Sequence, residues 1–142
     1  MSGSAARRLF LVLAVLVGSI GCNSSNLVSV KGKVTYNDKP VTSGTISFIA
    51  DDKPAAYGEL QPDGTYTLHT DKPNDGATPG KYKVIVVAMQ DQAGLLPEQR
   101  SPLPAPTVPI KYTSLVTTDL TAEVEKGKDN MFDFKLTGSL GK

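Results

Sequence analysis

The chain of 142 residues has one cysteine, one histidine and no tryptophan. A single cysteine, Cys22, excludes an intramolecular disulfide. One histidine, His69, with that one thiol falls short of the three or four ligands of a zinc site. It also leaves the serines without the base and orienting partner that nucleophilic hydrolysis needs. Charge of either sign is not in excess: 15 Lys and Arg face 14 Asp and Glu, for a formal net charge of +1. The lysines are scattered singly, so the clustered cations that neutralise nucleic-acid phosphates are missing. Glycine-rich phosphate loops, serine elbows and paired catalytic carboxylates are absent as well. These absences argue against an enzyme, a cofactor, a metal and a nucleic-acid partner. The longest apolar run, Leu9 to Val17, is shorter than the ~20 residues a membrane-spanning helix takes.

What is present at the N-terminus reads as an address. Arg7 and Arg8 precede the apolar run, and the small residues Gly18 and Ser19 follow it. This is the layout of a secretory signal, so residues 1–21 are set apart from the fold. Without the two arginines the remainder lies close to neutrality. Ser19-Ile20-Gly21-Cys22 resembles the lipobox of bacterial lipoproteins, with Gly21 and Cys22 at its last two positions and Ser19 where Leu is usual. The resemblance implies cleavage between Gly21 and Cys22 and acylation of Cys22, with chains such as palmitate. Ordinary signal cleavage, leaving Cys22 as a free thiol, is the alternative. Residues 22–27 then form the acylated cysteine and a polar tether, Asn23-Ser24-Ser25-Asn26. By the same resemblance, Asn23 after the cysteine favours the outer membrane over inner-membrane retention.

From Val28 onward apolar residues recur at every second position, the period of a half-buried strand. Val28, Val30, Gly32, Val34 and Tyr36 share a face opposite Ser29, Lys31, Lys33 and Thr35. Thr45–Ala50, Ala55–Leu60, Thr65–Thr70, Lys81–Met89, Leu120–Glu125 and Asn130–Thr137 continue the pattern. The middle of Lys81–Met89 is apolar on both faces, which predicts a central strand. Asn37-Asp38-Lys39-Pro40, Gln61-Pro62-Asp63-Gly64 and Lys126-Gly127-Lys128-Asp129 read as turns. With 13 Gly and 10 Pro in the chain and no convincing helix, the pattern predicts an all-β antiparallel sandwich of about seven strands over 28–142. The predicted core is Val30, Val34, Ile46, Phe48, Tyr66, Leu68, Tyr82, Val84, Val86, Leu120, Val124, Phe132, Phe134 and Leu136.

Three stretches carry a family resemblance. They are Val30-Lys31-Gly32-Lys33-Val34-Thr35-Tyr36 through Lys39-Pro40-Val41 to Gly44-Thr45-Ile46-Ser47-Phe48; Asp63-Gly64-Thr65-Tyr66-Thr67-Leu68; and Pro79-Gly80-Lys81-Tyr82-Lys83-Val84-Ile85-Val86. Together they resemble the carboxypeptidase regulatory-like, transthyretin-like (prealbumin-like) domain, a Greek-key sandwich, as found in short bacterial lipoproteins. The resemblance implies a non-catalytic module of the cell envelope. Some related domains cross-link a first-strand Lys to a last-strand Asn. Lys31 or Lys33, Glu59 and Asn130 would be the groups here, but the alternation turns both lysines away from the core.

His69 reads as an outward polar residue at a strand end. Asp71, Asn74 and Asp75 before Gly76 read as turn chemistry, since a calcium loop needs six to eight oxygens at fixed spacing. The segment Gln90 to Pro109 carries five prolines and is too broken for a helix or a central strand. Long loops of this kind are commonly functional, which makes Leu95, Leu96, Arg100 and Leu103 the candidate contact residues. The expectation is an exported, lipid-anchored structural or binding module at the cell membrane or outer membrane, meeting an envelope protein or glycan. An accessory subunit of a larger exported enzyme or transporter complex is the alternative.

Overall fold

The computed structural model describes residues 26–140. The alternating segments become strands of two facing sheets: β1 (Val30–Tyr36), β2 (Lys39–Pro40), β3 (Thr45–Ile49), β4 (Ala56–Glu59), β5 (Thr65–Thr67), β6 (Gly80–Val87), β7 (Thr121–Val124), β8 (Asn130–Met131) and β9 (Phe134–Leu136). One sheet has the order β4-β3-β6-β7. The other is built around β1, which pairs with β2, β5, β8 and β9. Strand β6 is central in its sheet, as its doubly apolar middle requires. The architecture is an all-β sandwich, with 3-10 turns at Pro97–Gln99 and Ile110–Thr113 in place of helices.

Two details differ from the expected antiparallel sandwich. First, β8 and β9 run parallel to β1, with Val30 beside Asn130 and Val34 beside Phe134. The chain leaves β7 at the end of the sandwich where β1 begins, crosses between sheets through Glu125–Asp129, and must then run alongside β1. Second, the last strand is interrupted, and side chains fill the gap. The Lys33 amide donates to Asp133 Oδ1 at 2.9 Å, and the Phe132 carbonyl accepts from the Tyr66 hydroxyl at 2.8 Å. The Asn37-Asp38 turn has positive φ at both residues, 49° and 62°, which is the geometry of a tight hairpin and brings in the two-residue β2.

The core lies between the sheets. Of the predicted set, all are buried except Leu120 and Phe132, which are half-buried against it. Phe48 sits at its centre, with ring centroids 5.9 to 6.3 Å from Tyr66, Tyr82, Phe132 and Phe134. Those spacings favour tilted aromatic pairs.

The two long sides of the sandwich are unlike. On one, Tyr57 and His69 exchange both backbone hydrogen bonds at 2.8 Å, stitching β4 to the segment after β5. On the other, β7 is the outer strand of its sheet. The two ends differ as well. Val28 pairs with Ala77 in both directions, at 2.9 and 3.0 Å, so the chain enters at one end. The turns 51–54, 70–79 and 125–129 share that end. The Pro-rich segment, following the far end of β6, lies at the other, roughly 25 Å away by the length of β6.

Candidate functional site

Gly21 and Cys22, and the whole expected signal segment, lie outside the described residues. The candidate contact loop is described. Its neck is a short antiparallel ladder: Thr107 N–H donates to the Ala88 carbonyl at 2.9 Å, Gln90 N–H donates to the Ala105 carbonyl at 2.8 Å, and Met89 faces Pro106. Inside the loop, Gln92 Nε2 donates to the Ser101 carbonyl at 3.0 Å and Arg100 Nε to the Leu95 carbonyl at 3.0 Å. The Leu96 amide donates to Gln99 Oε1 at 3.0 Å. Leu96 is 56% exposed and Leu103 85% exposed, and Leu95 is exposed too. The loop is thus internally bonded while its leucines face water, and Arg100 holds the loop's shape as well as presenting charge.

The end of that segment is not loop surface. Val108 is fully buried and Tyr112, in the second 3-10 turn, is buried as well. The Tyr112 hydroxyl donates to the Thr137 carbonyl and accepts from the Thr137 amide, both at 3.1 Å. Burial pushes the pKa of that hydroxyl up, but the Thr137 amide and the nearby Lys111 ammonium outweigh it and set it below the ordinary tyrosine value.

His69 and the acidic turn come together. The Asp75 carboxylate accepts from the amides of Thr70 at 2.6 Å, Asp71 at 3.0 Å and Lys72 at 2.8 Å. Both its oxygens are thereby committed to the backbone, and Asn74 takes the positive φ of 61° that the turn demands. The turn reading of Asp71, Asn74 and Asp75 is what the geometry displays. Among the described residues no group of three His, Cys, Asp or Glu is placed to hold a metal ion.

Asn130 is likewise occupied locally. Its amide nitrogen donates to the carbonyls of Glu125 at 2.9 Å and Lys128 at 3.2 Å, and its oxygen accepts from Glu125 N–H at 2.8 Å. Lys31 is exposed on the outer face of β1, as the alternation required.

Two concave regions went unnoticed in the sequence. A groove of about 1000 Å³ lies where β3 ends beside β6 and β7, lined by Ile49, Lys81, Lys83, Leu115, Val116 and Glu123 among others. A smaller cleft of about 480 Å³ runs along the stitched side, bounded by Glu59, Gln61, Thr67, His69, Asp71 and Asn74. Neither has a short motif. Each arises from residues that strand pairing brings together over long separations.

No family model matches the chain, and no curated protein or solved structure matches it either.

Proposed function

We propose that the chain is an exported, membrane-anchored lipoprotein whose transthyretin-like sandwich acts as a non-catalytic structural or binding module at the cell envelope. The observation that carries this reading is where the chain enters the fold. The Val28–Ala77 pairing fixes that point at one end of the sandwich, and the sole cysteine, Cys22, lies just upstream. The intervening residues reach at most ~20 Å when extended. Acyl chains on Cys22 would hold that end near a cell membrane or outer membrane and direct the Leu95–Leu103 loop away from it. Each buried methylene contributes about 0.8 kcal/mol, and two or more chains anchor a protein stably. The non-catalytic part of the reading rests on the sequence, which offers one histidine and no nucleophile–base motif.

Intact-mass measurement of the mature chain tests the anchor. The expected product starts at Cys22 with added acyl mass and fractionates with membranes, and Cys22→Ser releases it to the soluble fraction. A mature chain of unmodified mass would overturn the reading.

A further inference from the structure

We propose that the cleft along the stitched side binds a neutral oligosaccharide. Tyr57 is the only exposed aromatic side chain among the described residues, at 42%. Every other described ring is buried or half-buried, so this one sits outside the packing that employs the rest. Its backbone is clamped to His69 by two hydrogen bonds, and the two rings lie 6.5 Å apart. Tyr57 flanks the cleft through His69 rather than lining it, and two residues further along β4, on the same face, Glu59 enters the cleft wall with Thr67 of β5.

The far wall is the turn holding Asp71, Lys72 and Asn74, and the three amides gathered by Asp75 fix its shape. A wall set before binding lowers the ordering cost of a ligand. The side chains of Glu59, His69, Asp71, Lys72 and Asn74 make no hydrogen bond or ion pair among the described residues. Other polar groups of the turns behave otherwise: Asp63, Asp75 and Asn130 are each taken up by local backbone.

The chemistry of the lining selects the ligand class. The volume falls within the ~300–1,000 Å³ of small-ligand sites. Glu59 and Asp71 repel a phosphate or carboxylate, and Lys72 is the one lysine in the wall. An apolar ligand would strand those polar groups without partners. A pyranose suits both features, since its C–H face packs on an aromatic ring and its hydroxyls pair with carboxylates, amides and a threonine hydroxyl. This inference deepens the binding-module reading and rests on it, but it does not depend on the anchor.

The test is an NMR amide-shift titration of the full chain in detergent micelles with cellotriose and with tri-N-acetylchitotriose. The expected result is saturable shifts centred on Tyr57, Glu59, Thr67 and His69 with at least one trisaccharide, at a dissociation constant of ~1 mM. Tyr57→Ala should weaken that binding about tenfold, while Lys135→Ala, on β9 and outside the cleft lining, leaves it unchanged. The absence of saturable shifts with both sugars, shifts centred on the 90–107 loop, or unchanged affinity in Tyr57→Ala would each overturn the proposal. An unacylated Cys22 would instead remove the anchor and leave this titration standing.

Discussion

The hydroxyl of Tyr66 reaches the carbonyl oxygen of Phe132 at 2.8 Å across the bare backbone of Gly32. A β-carbon at Gly32 would lie 1.9 Å from that carbonyl oxygen and 2.9 Å from the Tyr66 hydroxyl. Glycine is therefore required here for space, with both close neighbours held in place by the strands around β1. Burial, with a smaller contribution from Asp133, pushes the Tyr66 hydroxyl well above the ordinary tyrosine value, so it stays a donor wherever the fold persists. Gly32→Ala is expected to cost about 3 kcal/mol, by overpacking and the loss of this bond. Tyr66→Phe, which leaves the carbonyl unpaired, should cost about 1–2 kcal/mol. Urea unfolding of the two variants checks both values, and a Gly32→Ala midpoint equal to the parent's would refute the packing argument.

The same relationship shows where sequence reading succeeds and where it stops. Period-two alternation located Val30, Val34, Phe48, Tyr66 and Val84 on the inward face, because burial on one face of a pleated strand leaves that signature directly in the order of residues. It placed Gly32 on the same face but gave no sign that Phe132, a hundred residues away, needed the space. The direction of β8 and β9 was missed for a related reason: a strand's alternation is the same whether its neighbour runs parallel or antiparallel. Val108 and Tyr112 were hidden by the prolines around them, which mark a broken backbone without marking exposure. The clefts depend on cross-strand placement alone. Asp75 was legible as a turn residue, since short carboxylates before glycine bond their own backbone.

The Pro-rich segment should tolerate deletion only inside its neck. Removing Ala93 to Leu103 and joining the ends with a short glycine linker spares the Ala88–Thr107 and Gln90–Ala105 bonds. That variant is expected to melt within a few degrees of the parent, because loop-closure entropy changes slowly with length. Extending the deletion through Pro106 removes the Met89–Pro106 pairing and shifts the register that delivers Val108 to the core, so a clear loss of melting temperature is expected. Val108→Ala alone should cost about 2 kcal/mol, the scale of buried large-to-small changes. Thermal unfolding of the three variants separates neck from loop: equal melting temperatures for the short and long deletions would show that the neck contributes nothing.

Acid should loosen the turn at Asp71–Asp75 before the sandwich itself. Burial pushes the Asp75 carboxyl's pKa up, but the amides of Thr70, Lys72 and Asp71, with a smaller attraction from His69, outweigh it and leave the group below the ordinary aspartate value. A carboxylate whose folded value is depressed contributes stability that is fully present above its unfolded value of ~3.9 and is lost as the pH falls through the folded value. Asp75→Asn should therefore be less stable than the parent at neutral pH, by about 1 kcal/mol on the scale of a weakened cap. The difference should shrink as the pH drops below ~4 and close once the parent's carboxylate is protonated. Asp63 is shifted in the same direction, chiefly by the hydroxyl and amide of Thr65, so the comparison is best made in an Asp63→Asn background. Denaturant midpoints measured from pH 7 to pH 2 supply the test. A gap between the two chains that stayed constant over that range would mean that the three amides do not favour the ionised form of Asp75.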